Sequence, residues 1–258
     1  MPNTELQQSF QQLVDIVAEL REKCPWDRVQ TKESLRHLTI EETYELVDAI
    51  LKNDEEEIKI ELGDLLLHVL FYARLGEESG AFDLKGVIRT QAEKLIRRHP
   101  HIYGEVQADT PEQVVVNWEQ IKSKEKSHKK KSTLSGVPDS LPSLIKALRM
   151  QEKAASAGFD FENGTQVWDK VKEEIAEFEE AANAKDKEAE MGDLLFALVN
   201  YCRFAGINPD DALSKTNLKF KQRFEFIETA AEQAEKNLRE MSLDEMEVHW
   251  QEAKARGL

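Results

Sequence analysis

The chain carries one arrangement of acidic and basic residues twice, in the same order. Each copy has two carboxylates three residues apart, a second such pair, and then a lysine and an arginine four residues apart. The first copy comprises Glu42, Glu45, Glu61, Asp64, Lys94 and Arg98. The second comprises Glu174, Glu177, Glu190, Asp193, Lys219 and Arg223. Four carboxylates with two cations indicate a metal-dependent phosphate site on a duplicated unit.

The two copies keep an almost constant offset, which is 132 residues for the first carboxylate pair, 129 for the second and 125 for the cations. A tryptophan follows each copy, Trp118 and Trp250, again 132 residues apart. Either tryptophan could stack on a base or a sugar, although packing is the commoner role of a lone tryptophan.

Helices must position these side chains. Carboxylates three residues apart share one helix face. Asn53 lies midway between the two carboxylate pairs of the first copy, and the midpoint of the second copy falls between Asn183 and Ala184. Asparagine favours turns. Residues equidistant from the turn of an antiparallel helix pair lie at the same height, so Glu45 should face Glu61 about 12 Å from the turn. We therefore expect a quartet of facing carboxylates in each copy.

Four close carboxylates repel one another and raise their own pKa values unless a cation lies among them. All-oxygen ligation suits Mg²⁺ or Mn²⁺ rather than zinc or copper. Exposed acids on ordinary amphipathic helices are the alternative for any single pair. A di-iron site requires Glu-x-x-His ligands, whereas His68 follows Asp64 by four residues and Ala197 stands at the matching place in the second copy. His68 is therefore interpreted as a core histidine or a support for the site.

The two cation pairs could grip the β- and γ-phosphates of a triphosphate, because lysine and arginine four residues apart share a helix face. A solvated basic face, or ion pairs with neighbouring acids, is the alternative. Neither GxxxxGK[ST] nor GxGxxG occurs, so a nucleotide would have to be held through a metal and cations. The His99–His101 HPH motif has no counterpart in the second copy and is not assigned to a metal.

Apolar residues with helical spacing predict an all-α fold of tandem duplicated helical-hairpin bundles. Phe10, Leu13, Val14, Val17 and Leu20 form one such stripe. Thr39 is expected to cap a helix over residues 40–51, with Glu42 completing a capping box. Further helices are expected at about 56–75, 165–182, 188–204, 209–239 and 243–255. Strand patterns are weak throughout.

A lysine-rich stretch, KSKEKSHKKK, separates the two copies. We interpret residues 122–142 as a solvated linker between an N-terminal helical domain, residues 1–121, and a C-terminal helical domain, residues 143–258.

Composition limits the classes of function. The net charge of −15 over 258 residues argues against nucleic acid or an anionic membrane as partner. Two cysteines support neither a disulfide framework nor a zinc quartet. The N-terminus lacks the features of a signal peptide, and no apolar run is long enough to span a membrane. A cytoplasmic location is expected.

Several motifs together resemble the MazG nucleoside triphosphate pyrophosphohydrolases. In the first half they are CPWD at 24–27, QT at 30–31, EETYE at 41–45, ELGDLL at 61–66 and RRHPHIYG at 97–104. In the second half they are GFDF at 158–161, EEIAE at 173–177, EMGDLLFALVN at 190–200 and KFKQRF at 219–224. The resemblance covers nearly the whole chain.

The resemblance implies an all-α, Mg²⁺-dependent homodimer that hydrolyses nucleoside triphosphates to monophosphate and pyrophosphate with broad base tolerance. Activity would reside in the C-terminal repeat, and the first repeat offers a possible second site. Glu174 or Glu177 would orient or deprotonate the attacking water. The implied metal ligands are Glu174, Glu177, Glu190 and Asp193. Asp193 also falls among the implied nucleotide-binding positions, with Lys219, Arg223, Trp250 and the weaker candidates Lys170 and Lys187.

Other functions remain open on sequence grounds. Related all-α enzymes specialised for dUTP or phosphoribosyl-ATP have a similar acid pattern. A helical module that binds a partner protein, or senses nucleotides with Mg²⁺ but does not turn them over, would also account for the chain.

Overall fold

The computed structural model describes residues 4–111, 113–114, 117–118, 121 and 132–258. All regular secondary structure in these ranges is helical, which confirms the all-α prediction. The chain divides into two compact units, Met1–Lys124 and Glu125–Leu258. The domain limits at residues 121 and 142 stay predictions, and residues 122–131 of the expected linker lie outside the described ranges.

The first unit is built on α1 (Thr4–Lys23), α2 (Lys32–Lys52), α3 (Glu55–Glu78), α4 (Leu84–Arg98) and the short α5 (Pro100–Tyr103). Helices α2 and α3 pack as a hairpin, and α1 and α4 lie against α3. The core contains Val17, Leu35, Leu70, Phe71 and Leu75. The predicted stripe of α1 packs on this core except at its end, where Leu20 is 40% exposed.

The expected start of the second helix is wrong. Helix α2 begins eight residues earlier, where Thr31 and Ser34 form a capping box. Good helix formers continue without a break from Lys32, so nothing stops the helix before Thr39. The Thr39 hydroxyl donates to the Leu35 carbonyl oxygen at 3.1 Å, the bond by which a threonine inside a helix satisfies itself.

The second unit contains α6 (Ser143–Ser156), α7 (Gly164–Glu180), α8 (Ala184–Phe204), α9 (Pro209–Gln233) and α10 (Leu243–Ala255). Helices α7 and α8 form the hairpin, α6 packs on α8, and α9 pairs with α10. Helix α9 ends before the expected residue 239. Glu235 adopts a left-handed φ of 53°, and the Lys236 N–H donates to the Ala231 carbonyl at 3.0 Å, which closes the helix end.

Both hairpins turn at the predicted asparagine, but by different means. Asn53 ends α2 in a left-handed conformation, with φ 56° and ψ 41°. Asn183 is extended and instead begins α8, because its side-chain oxygen accepts from the Lys185 and Asp186 N–H groups at 3.0 Å. Within the described ranges, no helix has the length and apolarity to cross a membrane.

Candidate active site

Each hairpin brings three carboxylates together. Single ligand oxygens of Glu42, Glu45 and Glu61 all lie within 4.8 Å of one another, and we call this group the first trio. The second trio, defined by the same criterion, consists of Glu174, Glu177 and Glu190. Each trio takes two members from the first helix of its hairpin and one from the second, as the midpoint argument expected. Oxygen ligands in this number suit a hard divalent cation.

The fourth acid of each expected quartet is not part of the close group. Asp64 and Asp193 lie outside the two trios, although Asp64 is near enough to raise the pKa of Glu42. Asp193 lines a cavity together with Glu174. The side chain of an aspartate is one methylene shorter than that of a glutamate, which accounts for the shorter reach. The close group in each hairpin is therefore a trio, and the roles of Asp64 and Asp193 as further metal ligands stay predictions.

Among the described residues, no cation pairs with the acids of the first trio. Glu61 is 5% exposed, and its Oε2 has no hydrogen-bond partner among the described residues. Burial raises the pKa of Glu61, and the charges of Glu45, Glu57 and Asp64 raise it further. Burial and then Asp64 raise the pKa of Glu42 in the same direction. A bound cation would relieve both effects.

The second trio has the ammonium group of Lys170 beside it. Lys170 Nζ lies 2.7 Å from Glu174 Oε1 and donates to Glu173 Oε1 at 2.8 Å. These two bonds raise the pKa of Lys170. Glu174 is 5% exposed, and its Oε2 has no hydrogen-bond partner in the described ranges. Burial and the charge of Glu174 raise the pKa of Glu177, which Lys170 opposes. An unpaired buried carboxylate oxygen beside an ammonium group fits a site for a metal-bound anion.

A cavity of about 520 Å³ opens beside the second trio. Its wall is mostly apolar, with a few polar side chains. The lining residues are Leu134, Met150, Gln151, Ala154, Phe159, Asp160, Phe161, Lys170, Glu174, Asp193, Phe196, Ala197, Asn200 and Arg203. An apolar, aromatic cavity next to charged groups has the make-up of a small-molecule site. Lys170, one of the weaker candidates for nucleotide binding, lines this cavity together with Glu174.

The other cations expected to bind nucleotide do not line this cavity. Arg223 Nε donates to the Leu258 carbonyl oxygen at 2.7 Å, and the guanidinium lies 5.3 Å from the centroid of the Trp250 ring. Lys219 and Lys187 are exposed and make no ion pair within the described ranges. The roles of these four residues stay predictions.

The corresponding cations of the first repeat line a pocket of their own. Lys94, Arg98, His99 and Trp118 border a space of about 290 Å³, with the Arg98 guanidinium 5.6 Å from the Trp118 ring centroid. The stacking of an arginine on the trailing tryptophan therefore recurs in both repeats.

His68 is a buried core residue, as expected. It is 8% exposed, and its Nδ1 lies 2.6 Å from Thr39 Oγ1, which is also 2.9 Å from the Tyr72 hydroxyl. Because Thr39 donates its only proton to Leu35, it accepts from His68 and Tyr72. Burial lowers the pKa of His68.

Sequence reasoning missed the cavity. Gln151 and the aromatic residues Phe159, Phe161 and Phe196 were not assigned a role. Gln151, Phe159 and Phe161 lie outside the two helices that carry the acids. In the sequence, nothing distinguishes Gln151 from an exposed glutamine on a helix. The only available signal was the GFDF segment, which interrupts two helices.

The protein is all-α and has a carboxylate cluster that could hold a divalent metal next to a mostly apolar cavity. Residues 30–103 match the family described as MazG nucleotide pyrophosphohydrolase domain. Residues 141–219 match the family described as phosphoribosyl-ATP pyrophosphohydrolase.

Curated relatives match over almost the whole chain. The nucleoside triphosphate pyrophosphohydrolase/pyrophosphatase MazG of Thermotoga maritima is 43% identical over 95% of this chain and 95% of its own length. The nucleoside triphosphate pyrophosphohydrolase of Escherichia coli K12 is 40% identical over 94% of this chain and 95% of its own length. The uncharacterized protein YabN of Bacillus subtilis is 45% identical over 96% of this chain but 52% of its own length. The chain belongs to the MazG family and has its two-domain form.

Proposed function

We propose that the chain hydrolyses nucleoside triphosphates to a nucleoside monophosphate and pyrophosphate, with Mg²⁺ as cofactor and with broad base tolerance. The second trio beside the 520 Å³ cavity is the observation that carries the proposal. A metal-bound triphosphate at the trio would have the apolar part of its nucleotide beside the cavity. The names of the matching families and relatives support the same activity.

The residues of the second repeat would have different roles in binding the metal, the water and the phosphates. Glu174, Glu177 and Glu190 would hold the cation, with Asp193 completing the set. A bound divalent ion supplies Lewis acidity toward phosphate oxygens and lowers the pKa of a coordinated water. Glu177, the exposed member of the trio, or Glu174 would orient or deprotonate the attacking water. Lys170 would offset negative charge on the phosphates. Arg223 donates to the Leu258 oxygen through Nε, and its Nη groups could donate to a phosphate.

A homodimer is part of the proposal. The second helix of each hairpin exposes an apolar stripe at equivalent positions. In α3 the stripe is Leu62, Leu66 and Val69, and in α8 it is Met191, Leu195 and Leu198. These side chains are between 36% and 53% exposed, and a second copy would bury them. Light scattering tests the homodimer: the wild type should have the mass of a dimer and Leu195→Glu that of a monomer. A monomeric wild type would contradict the proposal. The cytoplasmic location stays a prediction.

Phosphoribosyl-ATP hydrolysis is the second candidate function, since the second half matches the family of that name. Incubation with the eight common nucleoside triphosphates, dUTP and phosphoribosyl-ATP in Mg²⁺, followed by product chromatography, separates the two. Turnover of several common triphosphates to monophosphate and pyrophosphate supports the proposal. Turnover of phosphoribosyl-ATP or dUTP alone identifies a specialised enzyme. Absence of turnover with every substrate, with nucleotide binding retained, identifies a sensor.

A further inference from the structure

Two side-chain amides face the cavity of the second repeat. Gln151 of α6 and Asn200 of α8 line it together with Phe159, Phe161 and Phe196. Aromatic side chains stack on the flat face of a nucleobase, and amides hydrogen-bond its edge. The surroundings of the two amides decide which atom each of them can offer to a ligand.

Gln151 offers an acceptor. Its side chain is 6% exposed, and Nε2 donates to the Phe196 carbonyl oxygen at 2.8 Å. Its Oε1 is buried and has no hydrogen-bond partner among the described residues. Turning the amide over would set Oε1 against the Phe196 carbonyl, where two acceptors would meet. Oε1 is therefore left for a donor on a ligand, and such unpaired buried acceptors are uncommon in folded proteins.

Asn200 offers a donor. Its Oδ1 accepts from Arg203 Nε at 3.0 Å and from Arg203 Nη2 at 2.9 Å. Asp160 holds the same guanidinium, with Nη1 donating to its Oδ2 at 3.0 Å. Because arginine has only donors, Asn200 must present its oxygen to Arg203. Its Nδ2, which has no partner within the described ranges, is left to donate into the cavity.

The two amides are neighbours, and the acids lie farther along the same helix. Asn200 follows Phe196 by four residues in α8, so its backbone N–H bonds the carbonyl that Gln151 also binds. Asp193, which lines the same cavity, precedes Asn200 by seven residues, about 10 Å along the helix axis. That separation is comparable to the reach of a nucleotide from its α-phosphate across the ribose to the base.

We propose that Gln151 and Asn200 read the pairing edge of the nucleobase. Gln151 Oε1 accepts an N–H from the base, and Asn200 Nδ2 donates to the neighbouring ring nitrogen or carbonyl oxygen. Each common base carries a donor beside an acceptor on this edge, so one amide pair accommodates all of them. This inference rests on the proposed function and gives a physical basis for its broad base tolerance.

Methylated uridine triphosphates test the acceptor with the wild-type protein. A methyl group on N3 removes the N–H that Gln151 would accept, whereas a methyl group on C5 adds the same bulk away from the pairing edge. We expect KM for 3-methyl-UTP to exceed that for UTP at least about tenfold. The KM for 5-methyl-UTP should stay within about threefold of the UTP value. Equal KM values for the two methylated compounds would overturn the assignment.

Asn200→Asp tests the donor. The variant keeps the shape of the side chain and an oxygen for Arg203, but turns an acceptor instead of a donor toward the cavity. The cytosine amino group can donate one N–H to Gln151 Oε1 and the other to the new carboxylate. Uracil has a single N–H on this edge, so one of the two acceptors would face a carbonyl oxygen. We expect the ratio of kcat/KM for CTP to that for UTP to rise about tenfold, mainly through KM.

Asn217→Asp, at an exposed position of α9, is the matched control for the added charge. A residue that only holds Arg203 would change KM for CTP and UTP by one common factor, and this result would refute base reading. Should the wild type release no pyrophosphate from any triphosphate, the proposed function fails. Dissociation constants from calorimetry with UTP and its two methylated analogues then decide the base-reading assignment by the same comparison.

Discussion

Each acid trio consists of three glutamates, two on the first helix of its hairpin and one on the second, but the electrostatic surroundings of the two trios differ. In the second trio Lys170 bonds the buried Glu174. In the first trio Glu61 is the buried member, and no described cation pairs with it. Leu38 stands at the position that corresponds to Lys170 and packs on the core instead. A duplicated acid motif therefore does not by itself make two equivalent sites, because one neighbouring residue decides the local charge.

The hairpins also differ in the space beside the acids. His68 and Thr39 of the first repeat correspond to Ala197 and Val171 of the second. The imidazole of His68 fills buried space and bonds Thr39, whereas Ala197 lines the cavity of about 520 Å³. A buried ring in the first repeat therefore stands where the second repeat has a methyl group at the wall of a cavity.

The largest expected difference between the repeats is in activity. Glu174→Gln removes the charge of the buried ligand while keeping its shape, so kcat for pyrophosphate release should fall about 100-fold or more. Glu179→Gln, an exposed acid on the same helix, is the control and should retain activity. Full turnover by Glu174→Gln together with a loss in Glu61→Gln would move the active site to the first repeat.

His68→Ala would give the first repeat the small side chain of the second. The loss of the ring leaves a cavity and removes the bond to Thr39, so the unfolding free energy should fall by about 1–3 kcal/mol. Calorimetry would show the change, with pyrophosphate release unaltered. Unchanged stability would mean that the histidine does not fill buried space, and this difference between the two hairpins would fail.

Lys170→Met would make the second trio resemble the first in charge. The buried Glu174 would lose its partner, and since Lys170 is 37% exposed we expect a loss of only about 1–2 kcal/mol in metal-free buffer. Lys172→Met is the matched control, because Lys172 pairs with Asp169 at the surface of the same helix. Equal effects of the two substitutions on thermal unfolding would show that the Lys170–Glu174 ion pair stabilises the fold no more than a surface ion pair does.

The smallest expected effect is a pH dependence of stability from the first trio. Raised pKa values of Glu42 and Glu61 mean that the folded state holds protons more tightly than the unfolded state. Without metal, stability from these groups should rise as pH falls from neutral toward the raised pKa values. Glu61→Gln should therefore raise Tm at pH 7 without metal, and less so with Mg²⁺. A lower Tm of Glu61→Gln under metal-free conditions would contradict this.

The helical fold, the duplication and the approach of the acids across each hairpin all follow from patterns in the amino-acid sequence. Helical spacing and turn chemistry are local, and two local facts, an i,i+3 pair on each helix and an asparagine midway, suffice to bring Glu45 to Glu61. The predicted start of α2 was wrong because Thr31 and Thr39 are both plausible N-caps. The helix continues without interruption from Lys32 through Thr39, so Thr31 is the cap.

The differences between the two trios depend on tertiary contacts. The ion pair between Lys170 and Glu174 spans a single helical turn. The burial of Glu174 strengthens this ion pair, and it depends on the packing of α7 against α8. The cavity depends on side chains from α6, the 158–161 loop and α8. The free atoms of Gln151 and Asn200 follow from contacts with Phe196 and Arg203. Such contacts join residues far apart in the chain, and periodicity carries no information about them.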